Sequence, residues 1–262
     1  MGSKRRAGRM YRAALILSAL LAAASLSACA DKAPGQQTAQ EDEAAPAVRG
    51  TDVETARAGC TLAEVCGTFE EPSPEEILDR LNGIRLEACR EGLRNPATGD
   101  PLTEKDYVPL RWAADLERIA MTRAAEATVT KDHVRPWGGS CFDVAYPGLQ
   151  ANYETLAWGY GSILGAVEGW YSEKSAYAGG EEGVFSHYAA MIAPANLYVG
   201  AADFTPSSGG GEGDACAAEF AMDPGAAAPG QEPQVPEPAL CGGYGECVQM
   251  IEIPVSDEPG DG

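Results

Sequence analysis

Histidine is almost missing from this chain, which has two in 262 residues. Chemistry that needs an imidazole must therefore use His133 or His187. Basic residues are scarce too, with 19 Lys and Arg against 39 Asp and Glu. A surface so biased repels phosphate backbones and anionic headgroups, which excludes nucleic acid as a partner and surface charge as a membrane anchor. No apolar run reaches the roughly 20 residues that a spanning helix needs. Neither Cys60/Cys66 nor Cys241/Cys247 has the short gap of zinc knuckles and fingers. No Ser or Cys stands with a histidine in a nucleophile pattern.

The first 28 residues are what an export signal needs. Lys4, Arg5, Arg6, Arg9 and Arg12 precede an apolar run from Ala13 to Leu26, broken only by Ser18 and Ser25. Leu26-Ser27-Ala28-Cys29 resembles the lipobox of bacterial lipoproteins. That resemblance implies cleavage before Cys29, acylation of its sulfur, and a protein held outside the cytoplasm by lipid, at a bacterial cell surface or in a periplasm. Without the signal, 14 basic residues face 39 acidic ones, a net charge of −25. Seven further cysteines agree with an oxidising compartment, and the odd number leaves one unpaired or paired between chains. The equal spacings Cys60/Cys66 and Cys241/Cys247 suggest two local loops or a double strap between the tails.

Composition divides the remainder. Residues 29–72 and 224–262 are rich in Ala, Pro, Gly and acidic residues and poor in large apolar ones, so they read as disordered, solvated tails. A strand from Glu246 to Val255 is one exception the pattern offers. Residues 73–223 are long enough for one domain with a core. Its first helix starts at Ser73-Pro74-Glu75-Glu76, carries Ile77, Leu78, Leu81, Ile84 and Ala88 at helical period, and stops at Gly92. A second is expected over 113–128 and a third over 162–177. Strands are expected over 197–204 and 215–220, joined by Ser207-Ser208-Gly209-Gly210-Gly211. Helices with a few antiparallel strands mean an α+β domain.

Along this domain the residues of chemical interest run His133, Glu154, Glu173, His187. Two imidazoles and two carboxylates can hold a divalent cation or share protons. Glu173 shares a helix flank with Trp170 and Tyr177, an unusual place for an idle surface carboxylate. The plainer alternative is a structural His/Glu network clamping helix to sheet. Trp137, in a loop near His133, and Tyr188, next to His187, are candidates for the rim of a cleft. Trp112, Trp170 and Tyr171 suit the core.

In order, five segments resemble the CAP superfamily (SCP/PR-1-like, the cysteine-rich secretory protein family). Leu81-Asn82-Gly83-Ile84-Arg85 and Leu110-Arg111-Trp112-Ala113-Ala114-Asp115-Leu116 resemble its first two helix openings. Asn152-Tyr153-Glu154-Thr155-Leu156-Ala157, then Ala166 to Glu173, then Ser186-His187-Tyr188 with Tyr198-Val199-Gly200, resemble the rest. The resemblance implies an α-β-α sandwich. It places the family tetrad on His133, Glu154, Glu173 and His187, with the histidines as metal ligands for Zn2+ or another weakly held divalent cation and the glutamates as supports. Three departures remove polar groups around the cleft: Ala189-Ala190 where the family has Thr and Gln, Met191 to Pro194 where it has a tryptophan, and Val134 where it has Ser.

The expectation that follows is a lipid-anchored extracytoplasmic binding module for a small apolar ligand, lipid or peptide. The alternatives are a metal-dependent hydrolase with Glu154 or Glu173 as general base, and an adhesion module that binds another surface protein.

Overall fold

The structure, a computed structural model, describes residues 47–48, 52, 55–144, 146–180, 186–207, 213–222 and 244–255. The lipobox at Cys29, and Cys241, lie outside the described residues. In chain order the elements are strands β1 (Ala47–Val48) and β2 (Cys60–Phe69), helix α1 (Pro74–Glu91), strand β3 (Arg111–Trp112), helix α2 (Ala114–Ala127) and strand β4 (Tyr153–Trp158). Helices α3 (Ile163–Tyr171), α4 (Lys174–Gly179) and α5 (Ser186–Ile192) follow, then strands β5 (Asn196–Pro206), β6 (Ala215–Met222) and β7 (Gly245–Pro254). Among the described residues no helix is long and apolar enough to cross a membrane.

Local chemistry accounts for the helix ends. Pro74 opens α1 after an extended Ser73, whose carbonyl accepts from Ile77 N–H at 3.0 Å, although its hydroxyl makes no cap. Gly92 closes the helix at φ 66°, its N–H reaching back to the carbonyls of Ala88 and Cys89. The expected third helix is broken in two, because the chain leaves α3 at Ser172 and restarts as α4 after Glu173. Ser162 caps α3 by accepting from Gly165 N–H at 3.1 Å.

The strands form one sheet in the order β1-β7-β2-β5-β6-β4, with β3 pairing parallel to β5. The sheet is sandwiched between helices. Val199, Ala201, Cys216, Ala218 and Phe220 face α1, α3 and α5, while Ala202, Phe204, Ala215 and Ala217 face α2. Alternation along each strand thus assigns each residue to one layer. Gly200 lets α2 lie close on β5, since a Cβ there would stand 2.0 Å from Glu117 N. Arg85 ties α1 to its neighbour α5 and to the start of β5, donating to the carbonyls of Val108, Met191 and Asn196.

One boundary differs from the sequence reading: residues 60–69 are a strand and not part of a solvated tether. The strand expected over Glu246 to Val255 is present as β7. The two pair antiparallel over ten residues, from Cys60↔Pro254 to Phe69↔Gly245. The segment is short of large apolar side chains because it needs few: Val65 and Phe69 on one strand and Cys247 and Ile251 on the other suffice to meet α2 and β5. The ladder also rules out one cysteine scheme. Cys60 and Cys66 lie six residues apart on one extended strand, about 20 Å, and a disulfide requires Cα atoms within about 7 Å.

Candidate functional site

Four separate elements deliver the four predicted residues. His133 sits in the loop after α2, where Val134 bridges Ser140. Glu154 lies on β4, Glu173 at the break between α3 and α4, and His187 in the first turn of α5. The structure brings them together as two pairs. His133 Nδ1 is 2.7 Å from Glu154 Oε1, and His187 Nδ1 is 2.6 Å from Glu173 Oε1. The imidazole ring centres are 6.4 Å apart. Glu154 belongs with the α2 side of the sheet and Glu173 with the α3–α5 side, so the pairs meet over β4, the edge strand.

Each carboxylate accepts the Nδ1–H of its imidazole. That selects one tautomer and leaves the Nε2 lone pair on both rings free for a ligand. The two halves are held differently. Glu173 is partly exposed and takes a second donor, the backbone N–H of Tyr188 at 3.2 Å. Its histidine stacks beside Trp170, with ring centres 6.1 Å apart, and Trp170 Nε1 donates to the Leu156 carbonyl on β4.

Glu154 is buried and rests on a charged network that sequence reasoning missed. Arg123 Nε donates to Glu154 Oε2 at 2.6 Å, and Arg123 Nη1 to Glu126 Oε2 at 2.6 Å. Glu126 then accepts from Arg135 Nη2 at 2.7 Å, and Arg135 grips Asp52 with both terminal nitrogens at 2.6 and 2.7 Å. Burial alone would raise the Glu154 carboxyl, but the hydrogen bonds from His133 and Arg123 hold it down, to about 2. Directly opposite on β6 is Glu219, fully buried, its carboxyl within hydrogen-bonding reach of the Glu154 carboxylate. Burial and then the charge of Glu154 push Glu219 well above the carboxylate range, so it is a neutral acid. Cys141 lies against the same carboxyls, and burial followed by the charge of Glu154 pushes its thiol up to about 12. One signal was available for these residues. Arg123 recurs at helical period among the apolar residues of α2, and Glu219 is the lone charge in the apolar run Ala215–Ala221.

One rim candidate falls elsewhere. Tyr188 is 0% exposed, which corrects its placement on a cleft rim. It packs between Tyr171 and Tyr177, because α5 turns that side chain into the core while the preceding residue faces the site. Trp137 is covered by the Arg57 guanidinium, 3.3 Å from its ring centre, with Arg135 5.9 Å away.

Among the described residues no group of three or more His, Cys, Asp or Glu is gathered as metal ligands. The donor chemistry at the tetrad nevertheless fits a divalent cation held by two imidazoles, since both Nδ1 positions are engaged and both Nε2 atoms are available.

Comparison with known proteins gives a consistent picture. The profile of CAP, the cysteine-rich secretory protein family, matches residues 78–214. A probable pathogenesis-related protein of Candida albicans is 33% identical over 84 residues, which are 32% of this chain and 35% of that protein. The chain thus spans about a third of the length of this curated relative. Among solved structures, the crystal structure of NaASP2 with Zn2+ overlaps 58% of this chain and 80% of that one, at 13% identity and a TM-score of 0.38.

Proposed function

This chain belongs to the CAP, cysteine-rich secretory protein family, and from that premise we propose that it is an extracytoplasmic binding module, anchored by lipid on Cys29, whose His133/His187 cleft takes a divalent cation together with a small apolar ligand, lipid or peptide. The observation that carries this reading is the pair of imidazoles 6.4 Å apart, each with Nδ1 bound to its own carboxylate and Nε2 left over. A purely structural clamp would have no need to leave half of the His133 side chain exposed. When bound, the cation would supply a Lewis-acidic contact for a carboxylate or carbonyl of the ligand. The chain's own part is to present two imidazoles whose Nδ1 positions are each engaged by a carboxylate. Exposed Val134 and Phe142, near His133 in sequence, add apolar surface to that side of the molecule.

A hydrolase using Glu154 as general base is disfavoured. A carboxylate held near 2 is a weak base, and both of its oxygens already accept hydrogen bonds from Arg123 and His133.

Zinc titration of the full chain by calorimetry, at pH 7.5 and pH 5, tests the reading. Saturable heat at pH 7.5 is expected, lost at pH 5 and in the His133→Ala, His187→Ala double variant, because ligation requires neutral imidazole. No heat from the wild-type chain at millimolar zinc overturns the metal part. Lipid on Cys29 predicts a diacylglycerol mass increment on the mature N-terminus.

A further inference from the structure

We propose that Arg123 is a positioning residue for His133, setting the tautomer and aim of its imidazole from two directions at once. One direction is through the partner: Arg123 Nε and Nη2 donate to Glu154 at 2.6 and 3.3 Å, and Glu154 Oε1 in turn meets His133 Nδ1. The other is through the main chain: Arg123 Nη2 also donates to the carbonyl of Asp132, 3.1 Å away, the residue before His133. Arg123 is 0% exposed, and its remaining arm is fastened to Glu126, which accepts from Arg135, itself paired with Asp52.

The planar guanidinium satisfies three acceptors in three directions within one plane, which an ammonium on a flexible stem does not reproduce. The loop is anchored further along by the Val134–Ser140 bridge and by the buried Arg135, while the imidazole itself, half exposed, is held through Glu154. The second pair differs, because the Tyr188 N–H and the helix break position Glu173. Arg123 therefore acts on one histidine of the two, and His187 is a control within the same molecule. The inference depends on the proposed function only in treating His133 as a ligand-facing group.

The test is nitrogen-15 NMR of the imidazoles in alkaline buffer, with assignment simplified because the chain has two histidines. In the wild-type chain His133 should show the separated signals of a single Nδ1–H tautomer; averaged signals there would overturn the proposal. In Arg123→Lys the His133 signals should collapse toward the tautomer average while those of His187 stay in place. Zinc affinity should fall about tenfold, the usual effect of losing an outer support. Unchanged His133 signals, or equal movement of both histidines, would overturn it. If Arg123→Lys does not fold, Glu126→Gln, which loosens the anchored arm without touching Glu154 or His133, carries the same expectations and the same refutations. Should wild-type zinc binding be absent, the metal reading fails, but the tautomer measurement still decides the role of Arg123.

Discussion

Glu154 stands directly opposite Glu219 in the β4–β6 ladder, and the two carboxyls are driven in opposite directions. The one with Arg123 and His133 is held as an anion. Glu219, whose carboxyl faces Glu154 itself, is held as an acid by burial and by that neighbour's charge. Two adjacent buried carboxylates would repel strongly, so the pair retains one proton.

This arrangement makes stability depend on pH with two opposite signs. Glu219 has a raised folded value, so above the unfolded carboxylate range the unfolded chain loses a proton that the folded chain keeps, and stability falls as pH rises. Glu219→Gln should abolish that cost, gaining stability relative to wild type at pH 7 and much less at pH 4, as urea denaturation at the two values would show. The depressed Glu154 contributes stability that is present above its unfolded value and lost as pH falls toward about 2. Acid unfolding of Glu154→Gln should therefore be less steep over that range.

The paired strands β2 and β7 should matter for stability despite their tail-like composition. Ile251 is 2% exposed against the α2 side of the core. Ile251→Ala should cost about 3 kcal/mol, as expected for a large-to-small change in a core, measured by chemical denaturation. A cost near zero would mean that the ladder is dispensable.

Close approach of α2 to β5 allows no side chain at position 200. Gly200→Ala would put a Cβ against backbone atoms of Leu116 and Glu117, and backbone cannot swing aside as a side-chain tip can. The expected destabilisation is about 3 kcal/mol, visible as a lowered Tm. The same displacement of α2 should also weaken zinc binding, because Arg123 rides on that helix.

Peptide mapping without reduction should find no Cys60–Cys66 bridge, since β2 holds the two apart along its length. Its detection would require β2 to fold back on itself, and the β2–β7 register would then be wrong.

Legibility in the sequence follows how local each determinant is. The start of α1 at Ser73-Pro74 and its stop at Gly92 depend on neighbouring residues, and both are read correctly from them. The break between α3 and α4 is not, because apolar period runs on through Trp170 and Tyr177 and the backbone stays right-handed at Ser172 and Glu173. Strand β2 escaped notice because its few apolar residues gain their partners from β7, more than 170 positions later. Tyr188 looked like a rim residue because it adjoins His187, yet consecutive residues on a helix point in different directions.

By itself the sequence determined the helix ends, the α+β class, the family and the identity of the four His and Glu residues, because each is written in short patterns of residue type and spacing. Only the tertiary structure decided that those four become two pairs 6.4 Å apart over an edge strand. It alone decided that a buried chain from Asp52 to Arg123 stands behind one pair, and that Glu219 keeps its proton. Those properties arise from side chains distant in sequence, desolvated together, whose charges and hydrogen bonds have no meaning until the layers close around them.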